Sequence, residues 1–132
     1  MKEFFPDAST TDGVTVRVSV SYLSDQSEPR RGRWFWAYHI RIENQRDTNV
    51  QLLTRHWVIT DSRGARHSVE GEGVVGEQPV IAPGASYDYV SGCPLATPTG
   101  SMHGNYRMIG EDGALLEIAI PSFTLVAPAV TS

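Results

Sequence analysis

A chain of 132 residues with 40% hydrophobic and 20% charged side chains has the composition of one globular domain with a substantial core, which excludes wholesale disorder. The net charge of -4 argues against a general nucleic-acid binder, which needs a positive field to replace counterions on phosphates. The single cysteine excludes an internal disulfide and suits a reducing compartment.

At the N-terminus Glu3, Pro6 and Asp7 interrupt the apolar run of a signal peptide, and no segment approaches the ~20 apolar residues of a membrane helix. The expectation is a cytoplasmic protein without a membrane partner. From Val14 the period is two: Val14, Val16, Val18, Val20 and Tyr22 alternate with Thr15, Arg17, Ser19 and Ser21, as one face of a half-buried strand. Glu28-Pro29-Arg30-Arg31-Gly32-Arg33 is the one charge cluster, a loop whose three arginines suit a phosphate, a carboxylate or an acidic partner. A solvated hairpin loop is the plainer reading, and Arg66 joins the patch if the fold brings it close.

The segment Arg33 to Glu43 places Trp34, Trp36, Tyr38, Ile40 and Ile42 on one face. A third strand, Val50 to Thr60, sets Leu53, Arg55, Trp57 and Ile59 against Leu52, Thr54, His56 and Val58. Asp61-Ser62-Arg63-Gly64 turns into a short strand at Arg66–Glu70, and Ala82-Pro83-Gly84 breaks the chain before Ser86–Ser91. Glu111-Asp112-Gly113 joins strands Gly104–Ile109 and Leu115–Ile120, and Phe123–Val126 reads as a last, edge strand after Pro121. No 3.6-residue pattern and no internal repeat stands out. Seven to eight short antiparallel strands read as an all-β sandwich with its core at about 14–126 and short flexible termini.

Three features invite chemistry. Gly71, Gly73 and Gly76 form a Gly-x-Gly-x-x-Gly triplet, which in a dinucleotide site follows a parallel strand and opens a helix. Here Pro79 and Pro83 forbid a helix of useful length, and Glu70, Glu72 and Glu77 surround the loop with negative charge. A structural loop is the first reading, and an anion loop using exposed backbone N–H groups the second. His39 and His56, with Glu43 or Glu70 nearby, are weak metal candidates if they lie across neighbouring strands. Cys93 reads as a small buried apolar residue, without a nucleophile pattern around it. Trp34, Trp36 and Trp57 read as core anchors, and any that proves exposed becomes a binding hot spot.

The run Arg55-His56-Trp57-Val58-Ile59-Thr60-Asp61, the triplet Gly71–Gly76, Gly92-Cys93-Pro94-Leu95 and Gly100-Ser101-Met102 with Gly104 and Tyr106 resemble the ApaG family over roughly Thr15 to Leu125. The resemblance implies a fibronectin type III-like (immunoglobulin-like) sandwich and a link to cobalt resistance and magnesium efflux. Similar domains inside F-box proteins and a DNA-polymerase-delta-interacting protein imply a protein-binding role, and no catalytic residue set comes with the name. The expected function is a non-enzymatic, cofactor-free module that binds a protein partner through Arg30, Arg31 and Arg33 or the glycine loop. The alternative is a sensor for a pyrophosphate-containing nucleotide or a divalent cation. The chain is expected as a monomer or a weak homodimer, with Val14–Tyr22 or Phe123–Val126 as pairing edges if they are uncovered.

Overall fold

The computed structural model describes residues 5–128, so the termini expected to be flexible fall partly outside the described residues. Among the described residues nine strands run in chain order: β1 Asp7–Thr11, β2 Val14–Tyr22, β3 Trp34–Asn44, β4 Val50–Asp61, β5 Arg66–Glu72, β6 Val80–Ile81, β7 Ser86–Leu95, β8 Thr99–Gly110 and β9 Leu115–Val126. One sheet has the order β1-β2-β3-β7 and the other β5-β4-β8-β9, with β6 paired to the start of β4. Every pairing is antiparallel, and the two sheets stack as the expected all-β, fibronectin type III-like sandwich.

The period-two faces become the core. Val14, Val16, Val18, Trp36, Ile40 and Ile42 on one sheet meet Leu52, Trp57, Tyr106, Met108, Ile118 and Leu125 on the other, all buried. Each such side chain stabilises the fold by about 1.5–3 kcal/mol relative to exposure. Tyr38, Trp57 and Phe123 form an aromatic cluster between the sheets, with Trp57 edge-to-face to both others and 5.4 Å from Tyr38.

Four expectations are corrected. The strand count exceeds seven to eight because β1 and β6 were not foreseen, while Leu115–Ile120 and Phe123–Val126 are one strand. Pro121 is tolerated within β9 because the register is irregular there: β9 advances from Ile120 to Phe123 while β8 advances only from Gly104 to Met102. In β4 a bulge at Leu53 lies between the pairs Leu52–Met108 and Thr54–Arg107. The extra residue reverses the alternation, so Leu52 and Trp57 both reach the core although one is even and one odd. Finally, β2 cannot be a free edge, since it is paired to β1 on one side and β3 on the other.

Candidate functional site

The chain leaves β3 for the opposite sheet through a buried asparagine. Asn44 Nδ2 donates to the carbonyls of Thr48 and Ile81, both at 2.9 Å, and Asn44 Oδ1 accepts from the Arg46 N–H. This bracket turns the backbone between layers, so β3 and β4 lie in different sheets and are not neighbours. His39 and His56 are therefore not a cross-strand pair. His39 Nε2 lies 3.2 Å from Asp88 Oδ1, which also accepts from Arg41 Nε at 2.8 Å. Partial burial pushes the Asp88 carboxyl upward, but the hydrogen bonds from Arg41 and His39 outweigh it and the net direction is down. His56 Nε2 stands 3.7 Å from Glu70 Oε1 across β4 and β5. Among the described residues no group of three His, Cys, Asp or Glu side chains could hold a metal ion.

Each glycine of the triplet has a local geometric reason. A Cβ on Gly71 would stand 2.7 Å from Arg55 Nη2, because the guanidinium lies over that glycine. Gly73 has φ +62° and leaves no room for a Cβ, which would strike the Glu77 carbonyl. Val75 and Gly76, with φ of 49° and 79°, are the two central residues of a tight turn closed by Val74 N–H to Glu77 O and Glu77 N–H to Val74 O. Two positive φ values in succession define a type I′ turn, and a β-branched residue there is strained.

The bulge at Leu53 anchors this loop. Its carbonyl, turned out of the ladder, accepts from the Gly73 N–H at 2.8 Å and from Gln78 Nε2 at 2.9 Å. Arg55, brought to the inner side by the bulge, donates through Nη1 to the carbonyls of Glu72 at 3.0 Å and Gly73 at 2.8 Å. The N–H groups of Gly73, Val74 and Glu77 are thus engaged inside the protein. Behind the loop a cavity of about 320 Å³ is lined by Tyr38, Arg55, Trp57, Tyr89 and Ser91 among others. The Tyr89 and Tyr106 hydroxyls share a hydrogen bond, and burial holds both, with Tyr38, above the usual tyrosine range. Sequence reasoning missed Arg55 as a loop anchor; its place in the Arg55–Asp61 motif was the available signal, but its facing depended on the bulge.

The arginine cluster stands elsewhere. Pro29–Arg31 is a 3₁₀ turn ended by Gly32 at φ +70°, and it projects Arg30 and Arg31 into solvent. Arg31 Nε lies 3.3 Å from Glu28 Oε2, whereas Arg30 and Arg33 make no ion pair among the described residues. Arg31 and Arg33 rim a groove of about 630 Å³ whose wall is Trp34, Phe35, Pro94, Leu95 and Ala96. His67, the neighbour of Arg66, lines it from β5, and Asp61, whose Oδ1 accepts from the N–H groups of Arg63 and Ala65, lines it from the end of β4. Trp36 and Trp57 are core anchors, while Trp34 is half-buried and open to the groove. The groove and the loop cavity share no lining residue. Phe35 and the Pro94–Ala96 wall were not foreseen as site residues, because only the β3–β7 pairing sets Trp34 against Leu95 and Phe35 against Pro94.

Cys93 is 2% exposed, and burial pushes its thiol up to about 11, which suppresses the nucleophilic thiolate. No described helix is long and apolar enough to cross a membrane.

Known proteins resemble this chain over most of its length. A protein called ApaG from Paramagnetospirillum magneticum is 52% identical over 121 residues, covering 92% of this chain and 93% of that one. ApaG of Pseudomonas aeruginosa is 51% identical over 121 residues, covering 92% and 96%. A crystal structure of an ApaA protein from Bordetella pertussis superposes with a TM-score of 0.85 at 43% identity, covering 89% of this chain and 95% of that one. The C-terminal domain of wzt, at 7% identity and a TM-score of 0.55, shares the fold alone. The family model of the ApaG domain matches residues 24–110, and with these relatives it places the chain in the ApaG family.

Proposed function

We propose that the chain is a non-enzymatic binding module that holds an acidic, apolar-bearing peptide segment of a protein partner at the arginine end of the sandwich. One observation carries the reading: an aromatic and aliphatic wall, Trp34, Phe35, Pro94 and Leu95, meets the side chains of Arg31 and Arg33 in a single groove of about 630 Å³. Aromatic anchors in a concave patch supply binding energy, and guanidinium groups at the rim select carboxylates. The protein is acidic overall, with a net charge of -4, so this local cationic rim is set apart from its surroundings.

The test uses fluorescence polarisation with a labelled peptide alternating Asp or Glu with Phe or Leu, and a control peptide with Lys in place of the acids. The acidic peptide binds saturably and the control does not. Arg31→Ala with Arg33→Ala weakens binding about tenfold or more, as expected for lost charge-assisted contacts. Trp34→Ala, which removes the half-buried aromatic wall, weakens it by a similar factor. Absence of acidic-peptide binding at millimolar concentration, or binding indifferent to these changes, refutes the reading.

A second reading, a sensor for a small phosphate-containing ligand, draws its support from Arg55 beside the 320 Å³ cavity behind the glycine loop. Pyrophosphate shifts of the Gly71–Gly76 amides that vanish in Arg55→Ala, without effect at the groove, favour it.

A further inference from the structure

We propose that β5 is a pairing edge for a second copy of this chain, in one antiparallel register centred on Val69. β5 ends its sheet, bonded to β4 on one side only, and its residues are exposed except for the half-buried Gly71. Edge strands are ordinarily protected by proline, a bulge or charged side chains, lysine above all, so the charges of β5 permit pairing only with a partner of complementary charge. Arg66–Glu72 contains neither proline nor lysine, and its pairing with β4 is regular throughout.

The direction of its backbone groups follows from two bonds at its ends. The Ala65 carbonyl accepts from Asp61 N–H at 3.0 Å, and the Gly73 N–H donates to Leu53 O at 2.8 Å. Odd-numbered residues thus turn toward β4, and the alternation of an antiparallel ladder turns Arg66, Ser68, Glu70 and Glu72 outward. A second copy satisfies these groups only in a register that sets even against even. Pairing centred on Val69 does so, placing Ser68 opposite the partner's Glu70, and Arg66 opposite the partner's Glu72. The Glu72 carbonyl already accepts from Arg55 and keeps a second lone pair for the ladder.

Charge and shape agree with that register. Arg66, Ser68, Glu70 and Glu72 share the outer face, in line with Thr60, Val58, His56 and Thr54 of β4. The two-fold axis therefore makes the pair of Arg66 with the partner's Glu72 twice, once at each end of the joined strands. On the inner face His67 lies opposite the partner's Gly71, where the guanidinium of the partner's own Arg55 takes the place of a side chain. Val69, 41% exposed, meets its own symmetry mate at the centre. A register centred on Glu70 would instead oppose two carboxylates. The chosen register also carries the partner's glycine loop toward the Asp61–Ala65 turn, on the side where Asp61 and His67 line the groove.

Sedimentation velocity of the purified chain from micromolar to millimolar concentration tests this, at low and high salt. The expected result is a reversible dimer that weakens as salt screens the exposed pairs. Arg66→Glu and Glu72→Arg each weaken self-association at least about tenfold, since both ends of the interface then oppose like charges. An equimolar mixture of these two variants recovers the dimer, because opposite charges again meet at both ends. Ser68→Pro removes a central outward N–H and leaves a monomer whose circular dichroism matches that of the parent. A parent chain that stays monomeric at millimolar concentration overturns the proposal. So does a dimer that survives Arg66→Glu and Ser68→Pro, or a mixture that fails to pair.

Discussion

The guanidinium of Arg55 occupies the space that a side chain on Gly71 would need, with Nη2 2.7 Å from the position of a Cβ there. The glycine and the arginine form one device. The bare backbone at 71 lets the planar group lie flat, and from there Nη1 reaches the carbonyls of Glu72 and Gly73. Gly71→Ala forces the guanidinium away and costs about 1.5–3 kcal/mol, the range of hydrogen bonds to a charged group. Arg55→Ala removes the same bonds. A double-mutant cycle followed by urea unfolding is therefore expected to be strongly non-additive, the double variant falling little below either single one. Additive losses would separate the two residues.

Val75 holds φ 49° at an exposed position in the turn that closes the glycine loop. A β-branched side chain there costs about 1–2 kcal/mol relative to a residue that tolerates the left-handed region. Val75→Asn is expected to raise the urea midpoint by about 1 kcal/mol of stability, since Asn suits the first central position of a type I′ turn. Gly76→Val does the opposite. A fall in stability for Val75→Asn would mean that the side chain makes a contact worth more than its strain.

Deleting Leu53 removes the bulge without reversing the faces of β4, since Leu52 and Thr54 already pair with successive residues of β8, Met108 and Arg107. The sheet keeps its register, but the loop loses the carbonyl that accepts from Gly73 and Gln78. Two hydrogen bonds at about 1 kcal/mol each set the expected loss. Hydrogen exchange distinguishes this from general destabilisation: the Gly73 amide exchanges faster, relative to the Trp57 amide in the core, than in the parent chain.

Stability falls at alkaline pH. Burial raises the Cys93 thiol from 9.0 to about 11, and burial also raises Tyr38, Tyr89 and Tyr106. A raised folded value means that the folded state holds its proton where the unfolded chain has lost it. This contribution is complete below the unfolded value and declines as pH rises through the folded one. Urea midpoints are expected to hold steady up to about pH 9 and then drop, the Cys93 part between 9.0 and about 11. Cys93→Ala flattens the early part of that fall. Native alkylation by iodoacetamide at pH 8 runs roughly 100-fold slower than for an unshifted thiol, two pH units of thiolate fraction, before burial adds its steric share.

Much of this architecture is written in the chain itself. The alternation Val14–Val18 and Trp36–Ile42 reached the core as read, with Val20, Tyr22 and Trp34 half-buried at its margin, because a strand's period of two leaves no other way to bury one face. Pro79 and Pro83 ruled out a helix after the glycine triplet, and the turn at Glu111–Gly113 closed the hairpin of β8 and β9, since these residues restrict their own backbone. What only the tertiary structure decided depends on partners distant in sequence. The bulge at Leu53 shows no local signature, yet it carries Arg55 to the inner side, where one residue of register settles the facing of everything after it. Which sheet receives β4 rests on Asn44 bonding Ile81, so the separation of His39 from His56 was invisible along the chain. The groove at Trp34 and Phe35 likewise exists because β7 lays Leu95 and Pro94 against them, a pairing across some sixty residues of intervening chain that local preference does not encode.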